Sequence, residues 1–227
     1  MTPDTALEDL TASAQNYLKA IWSLQEWSEE PVTASDIAER TGLRVSTVSG
    51  GISKLREQGF VHHTRYGSID LTAEGHQVAV AMVRRHRLLE TFLVRTLGYS
   101  WDQVHEEAEH LEHVVSAFFV EQMDAVLGHP DRDPHGDPIP AADGTVTVPP
   151  AIPLVEVEAP ARVRIERISD TDEELLRFFA ERGVGIGSEL QVTAGAPYSE
   201  SIHLLPTGGE DIPLGCTAAR HVWVCLR

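Results

Sequence analysis

The spacing of apolar residues divides the chain into a mainly helical part and a β part, and that division constrains the fold more than any other feature. As far as Gly128, outside one short hairpin, the apolar residues recur at i, i+3, i+4 and i+7, the repeat of amphipathic helices. From Val155 onward they fall in short β-type runs, Val163–Ile165, Leu190–Val192, Ser201–Leu205 and His221–Cys225, separated by glycine turns around one helical piece, Asp172 to Glu181. The stretch from Asp131 to Pro140, and then residues 141 to 150, are rich in Pro, Gly and Asp and read as a loop followed by a linker. A chain ordered this way is mainly α with small β parts, ending in a small β-barrel.

Within the helical part, Ala14, Tyr17, Leu18, Ile21 and Trp22 define a first amphipathic helix over roughly residues 12 to 27. Thr33 to Asp36 is a capping-box start for a short helix stopped by Gly42, and a second helix follows from about Ser46 to Gln58 with Val48, Ile52 and Leu55 inward. Phe60 to Leu71, turning at Tyr66-Gly67, reads as a β-hairpin. Helix, helix-turn-helix and hairpin together describe a winged helix. Thr72 opens a long helix closing at Gly98, Ser100 to Gln103 opens another through about Val115, and a third reaches Gly128.

Charge follows the same division. The formal net charge of −17 argues against a general nucleic-acid coat, since non-specific binding depends on neutralising phosphates. Yet between residues 40 and 65 five basic residues, Arg40, Arg44, Lys54, Arg56 and Arg65, stand against the single acid Glu57. The second helix of the helix-turn-helix is placed to enter a major groove, with Arg44, Ser46, Thr47 and Ser49 at its N-terminal end and Lys54, Arg56 and Arg65 near the phosphate backbone. Acid gathers elsewhere: residues 101 to 150 hold eleven carboxylates and one arginine.

Part of that acid lies on one helical face. At about 100° per residue, His105, Glu109, Glu112 and His113 share a face that borders the buried stripe of Val104, Ala108, Leu111 and Val115. On the preceding helix Met82, His86, Leu89, Leu93 and Leu97 form an apolar stripe interrupted by a histidine, and Glu90 stands one turn after it. Facing helices that carry histidine and carboxylate inward are the arrangement of a bundle-core metal site. Oxygen and imidazole donors without a thiolate suit Mn(II) or Fe(II), and Zn(II) or Co(II) can also bind such a set in vitro. A zinc hydrolase is disfavoured, because neither H-E-x-x-H nor H-x-x-E-H is present around His105 or His113. Cys216 and Cys225 are expected to be buried, reduced thiols, and His62, His63, His129, His135 and His203 to be surface or turn residues.

Four ordered motifs carry a family resemblance: Asn16 to Trp22 (NYLKAIW), Arg85 to Glu90 (RHRLLE), Val104 to Glu109 followed by Glu112-His113-Val114, and Pro134 to Pro140 (PHGDPIP). Over essentially its whole length the chain resembles the diphtheria toxin repressor family of metalloregulators, in its manganese-dependent, manganese transport regulator branch. The resemblance implies a winged-helix DNA-binding domain over 1–73, a helical metal-binding and dimerisation domain over 74–140, a linker over 141–154 and an SH3-like (FeoA-like) β-barrel over 155–227. It also implies a primary metal held by Asn16, Glu109, Glu112 and His113. An ancillary metal would be held by His86, Glu90, His105 and an acid of the SH3-like domain that aligns at Asp172, with Glu173 or Glu174 as alternatives in register. Glutamate at 109, where iron-dependent relatives carry cysteine, points to manganese, with two or more ions per subunit.

The expected function is a manganese(II)-activated repressor of metal-uptake genes, a homodimer on a palindromic operator in double-stranded DNA; the alternative is an iron(II)-dependent repressor of iron-uptake genes. No enzymatic activity, small-molecule substrate or membrane association is expected, and the opening Met1-Thr2-Pro3-Asp4, without a basic stretch or apolar run, leads us to expect a cytoplasmic protein. A metal buffer whose helix-turn-helix is only scaffold would bind metal and form no specific DNA complex.

Overall fold

The computed structural model describes residues 6–7, 9–63 and 67–227, with His63 described for its backbone only. Arg65, expected on the wing, lies outside the described residues. The described chain divides into two compact units. One gathers residues up to His86 with Leu111–Gln122 and Pro140–Val146; the other gathers Arg87–His110, Met123–Ile139 and Thr147–Arg227.

The first unit opens with α1, Ala12–Glu26, whose N-cap Thr11 accepts a hydrogen bond from the Ala14 amide. Its buried face comprises Gln15, Tyr17, Leu18, Ala20, Ile21 and Trp22. Next come α2, Ala34–Thr41, and α3, Val45–Glu57. Thr33 and Asp36 form a reciprocal capping box at the start of α2, and Gly42 ends it at φ 66°, a conformation that costs glycine little. Helix α3 buries Val48, Ile52 and Leu55 against α1. The two helices approach so closely that a Cβ on Gly51 would stand 2.2 Å from the Tyr17 ring. Strands β1, Val61–His63, and β2, Ile69–Leu71, pair antiparallel as the hairpin of the wing.

Helix α4, Ala73–Leu97, contributes to both units, and Thr72 starts it by accepting from the Gly75 amide. Two shorter helices follow, α5, Val104–Leu111, and α6, Ala117–Leu127. Helix α5 ends at Leu111 rather than near Val115 as its spacing predicts, and Glu112 and His113 occupy the turn that follows.

The rest of the second unit is a six-stranded antiparallel sheet in the order β3-β8-β4-β5-β6-β7, closed over the apolar core that includes Ile165, Phe179, Val192, Leu204 and Val224. Its strands are β3, Ile152–Pro153; β4, Ala161–Ile168; β5, Glu189–Ala194; β6, Ser201–Pro206; β7, Ile212–Gly215; and β8, Val222–Leu226. The helix α7, Glu173–Ala180, follows β4, and the short α8, Cys216–Ala219, precedes β8. The central strand β4 carries a bulge between Ile165 and Arg167, so alternation fails and Ile165, Glu166, Arg167 and Ile168 are all buried. Cys216 and Cys225 are free and half-buried, not fully buried as expected. The fold is the expected one, an N-terminal winged helix, a central helical region and a small C-terminal β-barrel.

Candidate metal centre and DNA-reading surface

Glu112 sits in the turn after α5 and is fully buried. An isolated carboxylate there would be protonated. Burial indeed pushes its pKa up, but the charges and hydrogen bonds of His86 and Lys19 outweigh that and hold it at about 2. His86 Nδ1 lies 2.6 Å from Glu112 Oε2, and Lys19 Nζ donates to Oε1 at 2.6 Å.

His113, the next residue, is oriented by Gln15 of α1, a side chain with no signal in the sequence pattern. Gln15 donates its amide hydrogens to the Leu7 and Leu10 carbonyls, at 2.8 and 3.2 Å, so its Oε1 is left as acceptor. Oε1 lies 2.6 Å from His113 Nδ1, which must therefore carry the proton. In the neutral ring the lone pair then resides on Nε2, 3.6 Å from Glu112 Oε1. A histidine whose one nitrogen is held by a hydrogen bond, which fixes the tautomer and turns the other nitrogen's lone pair toward the site, is the usual support of a metal ligand. On the same helix as Gln15, Asn16 Oδ1 is buried without a hydrogen-bond partner, an oxygen donor that a cation would satisfy.

The second unit holds a denser acidic cluster. His105 Nδ1 is 3.1 Å from Glu90 Oε1 and 3.1 Å from Asp170 Oδ2, and its Nε2 is 3.6 Å from Oε1 of the half-exposed Glu109. Burial alone would lower the His105 pKa, yet hydrogen bonds to Asp170 and Glu90 and their charges raise it to about 10. The acid of the barrel domain at His105 is thus Asp170, not Asp172. Asp172 instead caps α7, accepting from the Leu175 amide at 2.9 Å, and neither Glu173 nor Glu174 takes the place. His86 stands one turn before Glu90 on α4.

The PHGDPIP loop and the Asp133 that precedes it add two more donors. His135, expected at the surface, is fully buried. Its Nε2 donates to the Trp101 carbonyl at 2.7 Å, leaving Nδ1 without a hydrogen bond, 3.7 Å from Glu90 Oε2. Glu90, Asp133 and His135 offer ligand atoms within 4.8 Å of one another, as do Glu90, His105 and Asp170. Burial opposes the charge on His135, but Glu90 in particular, with Asp133 and Asp170, raises its pKa to about 10. Asp133 is pushed up to about 8 by burial and by the charges of Asp137 and Glu90, against His135 and Arg87. A buried pocket that retains protons at neutral pH is one that a divalent cation would relieve, expelling them as it binds. The loop is shaped for this role. Asp133 Oδ1 accepts from the amides of His135 and Asp137, and Gly136, at φ 90°, leaves no room for a Cβ beside the Glu166 carbonyl. Asp137 is in turn clamped by Arg167 at 2.6 Å and Arg87 at 3.3 Å.

Sequence pattern missed Asp133, His135, Asp170 and Gln15 because each acts from a loop or through another side chain. The PHGDPIP motif was the available signal for His135 and for Asp133 just before it; Gln15 and Asp170 had none.

On the DNA-reading side, Arg44 is the N-cap of α3, and Arg44, Ser46, Thr47, Ser49, Lys54 and Arg56 are all exposed, opposite the face that buries Val48, Ile52 and Leu55. Ser49 Oγ returns its proton to the Val45 carbonyl at 2.8 Å, so its oxygen lone pairs remain outward. Small polar residues flanked by cations on the free face of the second helix match what a major groove accepts.

Fold and site together define a metal-dependent, DNA-binding transcriptional repressor. Residues 9–69 match the family model described as the iron dependent repressor N-terminal DNA binding domain, residues 72–141 the iron dependent repressor metal binding and dimerisation domain, and residues 152–225 the FeoA domain. The diphtheria toxin repressor of Corynebacterium glutamicum is 32% identical over 197 residues, covering 82% of this chain and 86% of that one. The chain belongs to the iron-dependent repressor family. Among solved structures, a manganese-dependent transcriptional repressor in complex with manganese superimposes with a TM-score of 0.89 at 49% identity, covering 94% of this chain and 100% of that one. The manganese regulator SloR superimposes with a TM-score of 0.81 at 30% identity, covering 96% and 100%. Among the described residues no helix is long and apolar enough to cross a membrane.

Proposed function

We propose that the chain is a manganese(II)-activated repressor of metal-uptake genes, acting in the cytoplasm as a homodimer on a palindromic operator. The observation that carries the metal assignment is the donor set. Asn16, Glu109, Glu112 and His113 supply amide oxygen, carboxylate and imidazole, without the thiolate that draws Zn(II) or Cu(I), and Asn16 Oδ1 is buried with nothing to bond. These four are the proposed primary ligands. The manganese dependence of a structurally similar repressor at 49% identity supports the same reading.

For the ancillary ion the proposed ligands are His86, Glu90, His105 and Asp170, with Asp133 and His135 as further donors around Glu90. Two or more ions per subunit follow from the two sets. The proposed modules are 1–73 for DNA, 74–140 for metal and dimerisation, 141–154 as linker and 155–227 as the barrel that brings Asp170. On the operator, Arg44, Ser46, Thr47 and Ser49 would read the groove, and Lys54, Arg56 and Arg65 would hold phosphates. The bound metal shifts DNA affinity only through unequal affinity for the two protein forms.

Fluorescence anisotropy on promoter DNA, with free Mn(II), Fe(II), Zn(II) or EDTA buffered in parallel, tests the reading. Tight binding at limiting Mn(II), lost in Glu109→Ala, is the expected result. Activation by Fe(II) at lower free concentration than Mn(II) would make this an iron-responsive repressor, and binding indifferent to metal would overturn the proposal.

A further inference from the structure

Lys19 occupies the oxygen that a metal at Glu112 would need. It lies on α1, one turn after Gln15 and three residues after the proposed ligand Asn16. Its Nζ donates to Glu112 Oε1 at 2.6 Å, the same oxygen that His113 Nε2 faces at 3.6 Å. The other oxygen, Oε2, is held by His86 Nδ1. The Lys19 ammonium is therefore a monovalent cation placed at the mouth of a divalent site, 3.5 Å from His86 Nδ1 as well. Two positive charges cannot share one buried carboxylate oxygen without strong mutual repulsion. The lysine side chain is nonetheless 13% exposed, and its flexible stem lets the ammonium swing out to water.

We propose that Lys19 is a tethered competitor of the metal at Glu112: it neutralises the buried carboxylate in the metal-free protein and must be displaced when the ion binds, which sets the concentration at which the repressor responds. The proposal rests on the reading of Glu112 and His113 as metal ligands. A tethered competitor raises the response threshold without touching the ligand set and keeps the empty site folded.

The test is the Mn(II) affinity of the full chain, by competition with a fluorescent chelator at fixed pH, together with the melting temperature of the metal-free protein, for Lys19→Gln, Lys19→Arg and Glu112→Gln. Lys19→Gln is expected to bind Mn(II) more tightly, on the order of tenfold or more, and to melt at lower temperature without metal. Lys19→Arg, whose guanidinium grips a carboxylate with two hydrogen bonds, is expected to bind Mn(II) more weakly than the parent and remains informative if Lys19→Gln does not fold. Parent-like or weaker Mn(II) affinity in a folded Lys19→Gln protein, or parent-like affinity in Lys19→Arg, would overturn the proposal while leaving the metal site intact. Parent-like Mn(II) affinity in Glu112→Gln would instead overturn the assignment of the site itself.

Discussion

Gln15 and His113, nearly a hundred residues apart in sequence, are joined by a 2.6 Å hydrogen bond in which the amide oxygen accepts the Nδ1 proton. The glutamine is itself locked by the carbonyls of Leu7 and Leu10. The tautomer of His113, and so the nitrogen it offers a metal, is decided by the first helix. Gln15→Leu removes the acceptor and frees both carbonyls and the ring. We expect a stability loss of ~1–3 kcal/mol and a fall in metal affinity of roughly 10- to 100-fold, the usual cost of losing such a support. Gln15→Glu keeps an acceptor for Nδ1 but sets a carboxylate oxygen against the Leu7 and Leu10 carbonyls that the amide had bonded, so it should retain more of the affinity than Gln15→Leu while still losing stability. Chelator competition and thermal melting on the two variants check both halves, and wild-type affinity in Gln15→Leu would show that the ring needs no support.

Asp170 and Asp172 are two residues apart and do different work. Asp170 faces His105, and Asp172 caps α7. Asp172→Ala is expected to cost ~0.5–2 kcal/mol as a lost cap and to leave metal stoichiometry unchanged. Asp170→Ala should lower the number of ions bound in equilibrium dialysis. It should also change the alkaline limb of stability. The pKa of His105 is raised from 6.5 to about 10, so its contribution is fully present below pH 6.5 and is lost as pH rises toward 10. Without Asp170 that rise shrinks, and metal-free Asp170→Ala should lose less stability between pH 6.5 and 10 than the parent. Equal slopes would show that Glu90 alone sustains the shift.

How far these sites could be read from the sequence depended on whether their residues sit on regular elements. His86, Glu90, His105 and Glu109 lie on α4 and α5, and helical periodicity placed them on inward faces. Glu112 and His113 were identified by type, but from a helix extended past its end: α5 stops at Leu111, and it is the turn that buries Glu112. His135 was misjudged because a histidine among prolines and glycines has no periodicity to reveal burial, which comes from the Trp101 carbonyl and Glu90. Asp170 was missed by two residues, since the capping aspartate that follows it is equally acidic in sequence. The winged helix was legible almost throughout, because its caps and glycine stops are local signals. Strand β7 was not, being four residues with two inward side chains.

Glu112 predicts an acid transition. Its pKa is held at about 2 against an ordinary 4.5 by His86 and Lys19, so its contribution is present above pH 4.5 and disappears as pH falls toward 2. Glu112→Gln removes the charge that His86 and Lys19 bond, while Lys19 can turn toward water, and should cost about 1–3 kcal/mol at pH 7, measured by urea denaturation without metal. The penalty should shrink through the window from pH 4.5 to 2, where the parent also loses the charge. A penalty independent of pH would mean that packing, not charge, accounts for it.

Gly50 and Gly51 are adjacent on α3 and meet opposite surroundings. A methyl on Gly50 would meet nothing within 4 Å, whereas one on Gly51 would stand 2.2 Å from Tyr17 Cε2 and 2.9 Å from Cδ2. Helical glycine costs roughly 0.5–1 kcal/mol relative to alanine, so Gly50→Ala should raise the melting temperature. Gly51→Ala gains the same backbone term but drives α3 off the buried Tyr17 ring, an overpacking cost of ~1–3 kcal/mol. Because Tyr17 adjoins Asn16 on α1, the displaced ring also reaches the metal site, and Gly51→Ala should weaken DNA binding at limiting metal more than at saturating metal. Saturating Mn(II) then partly restores anisotropy in Gly51→Ala, whereas a loss of DNA binding that is the same at both metal levels would confine the damage to the recognition helix.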